Sequence, residues 1–199
     1  LPKRMRDAIA TAQAPLLDDP LFKGHDATLI GSARLSLEAA AQRANALGTP
    51  AMILSDAIEG EAADIARMHA AMAREIALRD RPFRKPVLLL SGGETTVTLK
   101  GNGRGGRNTE FLLALAIALD GMADVYGFAA DTDGIDGSES NAGAFIGPDT
   151  LVRLQKLGLQ PKASLANNDA YGAFEALGEL FSPGPTGTNV NDFRALLIV

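Results

Sequence analysis

The chain has 199 residues and a formal net charge of −5, and its composition, 46% apolar and 22% charged, is typical of one globular domain or of one compact domain with a docking arm. It contains no cysteine, which excludes a disulfide scaffold and a thiol nucleophile. No apolar run is long enough to span a membrane and no basic stripe is present, which argues against a membrane protein and against nucleic acid as the main partner. In the absence of a secretory leader pattern, we expect a cytoplasmic location.

The amino-terminal residues 1–23 contain three prolines and are interpreted as an arm, or as the tail of a further amino-terminal domain. The chain also begins at Leu1 and not at Met, which suggests a piece of something larger. The sequence predicts that residues 24–199 form the α/β carboxyl-terminal part.

Within residues 24–199, strands and helices are predicted in alternation. Short apolar runs predict strands at residues 27–31, 51–55, 87–90, 125–130 and 195–199. Helical spacing predicts helices at residues 33–47, 61–79, 109–119, 151–157 and 168–180. Uninterrupted apolar strands favour a parallel sheet covered on both faces, whereas residues 95–100 alternate as a strand with one wet face. We therefore predict a three-layer α/β/α fold with a mixed, mostly parallel sheet.

Four loops collect the polar residues and glycines that these elements lack, at residues 91–95, 101–108, 131–137 and 184–192. Ligands of open α/β sheets bind outside the carboxyl ends of the strands, and two of these loops directly follow buried strands. The sequence therefore predicts one shared cleft.

The second loop contains Gly101, Gly103 and Gly106 in the G-x-G-x-x-G spacing of dinucleotide sites, and Asp131 follows where an acid would bind a ribose. The preceding strand is half polar, however, where the first strand of a nucleotide fold should be buried. A glycine-rich turn that leads into a helix is the alternative interpretation.

A different ligand class is indicated by Arg104, Arg107 and Asn108 at the start of the next helix. Backbone N–H groups of the glycine run 88–110 could face an anion, and arginine is suited to bidentate recognition of carboxylate or phosphate. The second loop is therefore a candidate anion site.

The third loop brings Asp131, Asp133 and Asp136 together, a charge cluster that needs a cation, an arginine or a shared proton. Mg²⁺ held together with substrate phosphates would serve, and an aspartate-capped turn is the alternative. The fourth loop suits hydrogen bonds to phosphate or sugar oxygens, or simple turn chemistry. His25 and His69 lie outside all four loops, so no serine-histidine-acid set is expected.

Together the loops resemble one family. The strings SGGETTVTLKGNGRGGRNTEF, AADTDGIDG, NAGA, NNDAY and GPTGTNVND are similar to motifs of the class II glycerate kinases, whose carboxyl-terminal region is called the MOFRL domain. The resemblance begins at about Gly24, and the MOFRL-like motifs occupy about residues 86–199.

This resemblance implies ATP-dependent phosphorylation of the small hydroxy acid D-glycerate at its 2-hydroxyl, with Mg²⁺, in a cleft between two α/β domains. The other partner would be an amino-terminal domain of the same protein, and a homodimer is possible. Some similar proteins carry the name hydroxypyruvate reductase of tartrate degradation, which implies NAD(P)H as the alternative cofactor. A third hypothesis is that the chain is a non-catalytic half of a protein and binds ligand weakly.

The resemblance also implies site residues. The catalytic candidates are Arg107 on the transferring phosphoryl group, Arg104 on the glycerate carboxylate, and Asp133. The metal candidates are Glu94, Asp133 and Asp136. The predicted cofactor-binding residues are Gly92, Gly93, Glu94, Gly103, Gly105, Gly106, Asn108, Thr186, Thr188 and Asn189. Asp131 stands where the family usually has glycine.

Overall fold

The computed structural model describes residues 1–16, 18–26 and 28–199, and the chain divides into two compact units, Leu1–Ile30 and Gly31–Val199. The first unit contains helix α1 (Lys3–Thr11) and a short 3-10 turn (Pro20–Phe22). It includes the predicted arm and ends a few residues beyond residue 23. None of the helices in the described ranges is both long and apolar enough to cross a lipid bilayer.

The predicted strand at residues 27–31 is wrong over residues 28–31, which have no strand conformation. Ala27 lies outside the described residues. Leu29 and Ile30 are exposed, and an apolar run forms a strand only where a neighbouring strand bonds its backbone.

The second unit contains the remaining elements. The helices are α2 (Ala33–Ala46), α3 (Ala62–Arg79), α4 (Arg107–Leu119), α5 (Thr150–Lys156), α6 (Pro161–Ala166) and α7 (Ala170–Leu177). The strands are β1 (Ala51–Ser55), β2 (Gly60–Glu61), β3 (Val87–Gly93), β4 (Thr95–Thr96), β5 (Val125–Asp131), β6 (Gly143–Ile146), β7 (Leu180–Phe181) and β8 (Asp192–Ile198). The sequence did not predict α1, α6, β2 or β6, and the predicted helix 168–180 divides into α7 and β7 at Gly178, which ends α7 in the left-handed conformation.

The main sheet is six-stranded in the order β1-β3-β8-β5-β6-β7, and it is mixed, as predicted. The expected parallel majority is wrong, because only the β1–β3 pairing is parallel and the other four pairings are antiparallel. Two of the four antiparallel pairings come from β8, which inserts between β3 and β5 at the centre of the sheet, and the other two come from the neighbouring strands β5, β6 and β7.

Helices cover both faces of this sheet. Helices α3, α4 and α7 pack with Val87 and Leu89 of β3 in the main hydrophobic core. On the opposite face, Leu37 of α2 lies against Gly92, because alternate positions of a strand face opposite sides of the sheet and Gly92 is out of phase with Val87 and Leu89. The three-layer α/β/α prediction is therefore confirmed.

The predicted strand at residues 95–100 is confirmed only at Thr95–Thr96, which pairs with β2. Beyond it the backbone bonds to side chains: the N–H of Thr98 donates to Oε1 of Glu61 at 2.7 Å, and the N–H of Lys100 donates to Oδ1 of Asn168 at 2.7 Å. These contacts direct the glycine loop toward α6 and α7.

Candidate functional site

Arg107, the first residue of α4, is the point at which the predicted loops meet. Its Nε donates to Oδ1 of Asp192 at 2.7 Å, and its NH2 group donates to Oδ2 of Asp131 at 2.5 Å. Its NH1 group lies 3.7 Å from Oε1 of Glu94, which is beyond hydrogen-bond distance. The second loop thus reaches the first loop, the third loop and the start of β8 through one side chain.

The sequence places Arg107 there because α4 is an apolar helix that the core encloses. Nine successive residues after Arg107, from position 108 to position 116, are buried, so the helix cannot rotate or slide without disturbing the core. The arginine itself remains a quarter exposed at the helix start.

Asp192, whose side chain has no exposed surface, connects two arginines. Its Oδ1 accepts hydrogen bonds from Arg107 and from Nδ2 of Asn108, the latter at 2.8 Å. Its Oδ2 accepts from the NH2 group of Arg194 at 2.5 Å and from the N–H of Thr95 at 3.4 Å. The carboxylate therefore joins the loop after β3 to the start of α4.

Asp131 lies opposite Asp192 in the register of β5 and β8, so two carboxylates face one guanidinium. Burial raises the pKa of Asp131 to about 6, while the hydrogen bond from the N–H of Asp133 and the charge of Arg107 oppose that rise. The carboxyl group that holds NH2 of Arg107 therefore titrates close to neutral pH.

This pKa predicts how stability depends on pH. Because the pKa of Asp131 in the folded chain, about 6, exceeds its ordinary value of 3.8, the native state binds the proton more tightly between those values. Stability contributed by this proton is lost as pH rises through about 6. We expect the free energy of unfolding of the wild type, minus that of Asp131→Asn, to fall from about pH 4 to about pH 6 and then level off. Urea denaturation across this range measures it, and a difference that rises or stays constant would contradict the assignment.

The third and fourth loops are joined around Asp133. The N–H of Thr186 donates to the carbonyl oxygen of Asp133 at 3.1 Å, and Nδ2 of Asn189 donates to its Oδ2 at 3.4 Å. The hydroxyl of Thr186 donates to the carbonyl oxygens of Thr132 and Thr188. Thr186 and Thr188 also line a cavity of about 400 Å³ that Asp131 borders. The fourth loop therefore lies beside the Arg107 cluster, which consists of Glu94, Arg107, Asp131 and Asp192.

Asp136 caps α4 and does not face the cluster. Its Oδ1 accepts from the N–H of Asn108 at 2.9 Å, and its Oδ2 accepts from the N–H and hydroxyl of Thr109 at 2.8 and 2.9 Å. Burial raises the pKa of Asp136, and these hydrogen bonds oppose that rise. The helix amino end thus already binds an anion, and that anion belongs to the protein.

This position corrects the predicted metal set. Among residues 1–16, 18–26 and 28–199, no group of three or more His, Asp or Glu side chains is arranged to hold a metal ion. Glu94, Asp133 and Asp136 therefore do not form a ready site. Because the lone pairs of Asp136 are used at the helix start, Glu94 and Asp133 are the two of the three that stay as candidates.

The glycine loop differs most from its predicted role. The N–H groups of Gly101, Asn102, Gly103 and Arg104 donate to the backbone or side chains of Asn167, Asn168 and Asp169. A Cβ atom at Gly103 would lie 2.4 Å from Cβ of Asp169, one at Gly105 would lie 2.9 Å from Oγ1 of Thr109, and one at Gly106 would lie 2.4 Å from the backbone of Asp136. These glycines allow close packing of the chain on itself, and their predicted part in ligand binding stays a prediction.

Gly92 and Gly93, at the end of β3, are packed in the same way. Gly93 has φ +118°, and a Cβ atom there would lie 2.2 Å from the backbone nitrogen of Ile58.

We expect Gly93→Ala to lower the free energy of unfolding by about 3 kcal/mol, since it combines overpacking with left-handed strain. Gly48→Ala is the matched control, because Gly48 has φ +86° and open space around it; strain alone costs about 1 kcal/mol. Equal losses in urea denaturation would show that the contact with Ile58 does not matter.

Arg104 is directed toward α7. Its NH2 group donates to Oε2 of Glu175 at 2.9 Å, and its Cζ lies 4.6 Å from the ring centre of Tyr171. It shares none of these partners with Arg107. NH1 of Arg104 lies 3.7 Å from Oε2 of Glu139, and the predicted role of Arg104 on a substrate carboxylate stays a prediction.

Sequence reasoning missed Arg194, which is completely buried beside Asp192. The available signal was the alternation of β8, in which Asp192, Arg194, Leu196 and Ile198 are all buried and must share one face. His69, which lies outside the four predicted loops, is buried, and its Nε2 lies 3.0 Å from Oγ of Ser91.

The sequence is similar to a family model and to proteins of known name. The model of the MOFRL family matches residues 87–192. A protein of Agrobacterium vitis with the provisional name hydroxypyruvate reductase is 49% identical over 87% of this chain and 46% of its own length. The D-glycerate 2-kinase of Thermotoga maritima is 42% identical over 86% of this chain and 41% of its own length.

Solved structures agree with the sequence matches. The crystal structure of a glycerate kinase from Thermotoga maritima superposes with a TM-score of 0.85 at 41% identity, covering 87% of this chain and 42% of that one. A protein from Pyrococcus horikoshii gives a TM-score of 0.85 at 34% identity, covering all of this chain and 46% of that one. The chain thus spans less than half the length of these relatives.

Proposed function

This chain belongs to the MOFRL family, and from that premise we propose that it supplies one side of the active site of an ATP-dependent D-glycerate 2-kinase. The carboxyl-terminal loops would hold the transferring phosphoryl group, and the acceptor would be the 2-hydroxyl of a small hydroxy acid. Relatives at 42% and 40% identity are named D-glycerate 2-kinase and glycerate 2-kinase, which supports this choice.

The observation that carries the proposal is which nitrogens of the Arg107 guanidinium are hydrogen-bonded to the protein. Nε and NH2 are bound by the buried carboxylates of Asp192 and Asp131, while NH1 lies 3.7 Å from the exposed Glu94 and has no hydrogen bond to any residue that the structure describes. A guanidinium whose Nε and NH2 are bound by carboxylates, and whose NH1 is available as a donor, is suited to bind an incoming phosphate. Because Asp131 and Asp192 fix its direction, the open edge is oriented before any ligand arrives.

Phosphoryl transfer depends on positioning and charge neutralisation more than on covalent chemistry by the protein. The 2-hydroxyl oxygen forms a bond to the γ-phosphorus while the bond from that phosphorus to the bridging oxygen breaks, ADP leaves, and the hydroxyl proton passes to solvent. Arg107 would donate from NH1 to the γ-phosphoryl oxygens as their charge spreads. Mg²⁺ is commonly held by one or two carboxylates together with substrate phosphates; Glu94 and Asp133 fit that limited role, and the metal would neutralise phosphate charge.

The second side of the cleft would come from a further domain of the kind that longer relatives carry. Those relatives extend well beyond the region matched here, and the side chains of Arg107 and Glu94 are 25% and 59% exposed. We infer that these 199 residues alone bind nucleotide and glycerate weakly. We further propose a cytoplasmic enzyme.

Hydroxypyruvate reduction with NAD(P)H is the alternative, and the provisional name of the relative at 49% identity favours it. A dinucleotide site would need Gly101, Gly103 and Gly106 to approach a pyrophosphate after a buried first strand. Here the three glycines contact residues of their own chain, which supports the kinase proposal.

One coupled assay of the complete protein tests the choice. ADP formation and NADH loss are measured side by side with D-glycerate and with hydroxypyruvate. The kinase proposal requires ADP formation that depends on D-glycerate and yields 2-phosphoglycerate. NADH oxidation by hydroxypyruvate without ADP formation would overturn it in favour of the reductase.

A further inference from the structure

Arg194 is a second buried guanidinium behind the proposed site, and it lies beyond the residues matched by the family model, which end at residue 192. Its side chain has no exposed surface. The NH2 group donates to Oδ2 of Asp192 at 2.5 Å and to Oγ1 of Thr95 at 3.2 Å, and Cζ lies 5.3 Å from the ring centre of Phe111. With no exposed surface, Arg194 cannot touch a substrate.

Stability alone gives little reason for an arginine at this position. Nε and NH1 of Arg194 are buried without a hydrogen-bond partner among the residues that the structure describes. Burying a charge that is only partly satisfied is costly, and buried ion pairs can often be replaced by apolar side chains without loss. A role beyond packing would account for this cost.

The carboxylate of Asp192 indicates that role. Its Oδ1 accepts hydrogen bonds from Arg107 and Asn108, and its Oδ2 accepts hydrogen bonds from Arg194 and Thr95. A carboxylate is planar, so fixing Oδ2 also fixes the direction in which Oδ1 accepts from Nε of Arg107. The orientation of Arg107 is therefore set partly from the buried side of Asp192.

We propose that Arg194 is a positioning residue for phosphoryl transfer, which acts through Asp192 to direct NH1 of Arg107 at the transferring phosphoryl group. The inference rests on the proposed kinase function. Because Arg194 is also paired with Asp192, the carboxylate neutralises less of the positive charge of Arg107. The attraction between Arg107 and the phosphate is then stronger. Loss of Arg194 should therefore reduce turnover more than substrate binding.

A double-mutant cycle on the complete protein tests this coupling. Arg194→Met removes the charge at similar volume, and Arg107→Ala removes the residue through which Arg194 would act. We expect Arg194→Met alone to lower kcat about 10- to 100-fold, with KM for ATP and D-glycerate within about threefold, because a misdirected catalytic group can cost about 100-fold. In the Arg107→Ala background, the same change should lower kcat less than about threefold.

The assay uses ATP labelled at the γ-phosphate, so that rates far below the wild-type rate remain measurable. Arg153→Met is the matched control, since Arg153 pairs with Glu179 and Asp149 and not with the Arg107 cluster; it should keep kcat within about twofold of the wild type. If Arg194→Met does not accumulate as folded protein, Arg194→Lys takes its place in the cycle, because it keeps the charge but lacks the planar guanidinium whose NH2 group donates to Asp192 and Thr95.

The outcomes separate the two proposals. Equal losses of kcat in the wild-type and Arg107→Ala backgrounds would mean that Arg194 is only structural and would overturn the inference. Full kcat in both Arg194 variants would overturn it as well. A wild-type protein that transfers no phosphate to D-glycerate would instead refute the proposed function itself.

Discussion

Replacement of Arg107 by alanine should lower the turnover number of the complete protein at least about 100-fold, because an arginine that stabilises the phosphoryl transition state is worth roughly three to five powers of ten in rate. The lower bound allows for water or Mg²⁺ to neutralise part of the charge. The measurement is steady-state ADP formation with D-glycerate, accompanied by urea denaturation of the same variant. A loss of less than tenfold would remove Arg107 from the mechanism.

Two further variants make this result specific. Arg107→Lys keeps the charge but cannot bind Asp192 and Asp131 as a fork, so its activity should lie between those of the wild type and Arg107→Ala. Arg104→Ala tests the other arginine: an increase in KM for glycerate would mean that Arg104 binds the substrate carboxylate. An unchanged KM would leave Arg104 with its observed contacts to α7.

Replacement of Asp192 by alanine should produce the largest loss of stability, about 3–5 kcal/mol, because it leaves the fully buried Arg194 without its carboxylate. It also removes the acceptor for Nε of Arg107 and for Nδ2 of Asn108. Globular domains have a total stability of about 5–15 kcal/mol, so much of the variant could be unfolded at 37 °C. Urea denaturation of the 199-residue chain measures the change.

Two further variants show whether the loss of stability comes from the unpaired buried charge of Arg194 or from the loss of an ion pair as such. Glu38→Ala breaks an exposed pair on α2, in which the side chains of Arg34 and Glu38 are 60% and 49% exposed, and should cost at most about 0.5 kcal/mol. The double variant Asp192→Ala with Arg194→Met should recover part of the loss, since no unpaired charge remains buried. A double variant as unstable as Asp192→Ala alone would show that the unpaired charge of Arg194 is not the cause.

Much of the site chemistry was readable from the sequence. Glycine, arginine and aspartate concentrate in four loops that follow or precede apolar runs, and the structure brings Glu94, Arg107, Asp131 and Asp192 together. The roles of individual groups were less predictable. The N–H groups of the glycine loop and the carboxylate of Asp136 were expected to face a ligand, but they bond to their own chain, because a nearby protein donor or acceptor competes directly with an outside ligand.

Several of the local elements are predictable from the sequence alone. The predicted strand 51–55 has the observed bounds, and the predicted helices 33–47, 61–79 and 109–119 differ from α2, α3 and α4 by two residues or fewer at each end. Such elements follow from periodicity and capping, which depend on residues a few positions apart.

The position of β8 between β3 and β5 depends on tertiary packing, and this position in turn places Asp192 between Arg107 and Arg194. Strand order and ion-pair partners depend on contacts between residues about 100 positions apart, such as Thr95 and Arg194. A single sequence has no local signal for such contacts, because their energy arises only when the whole core is packed.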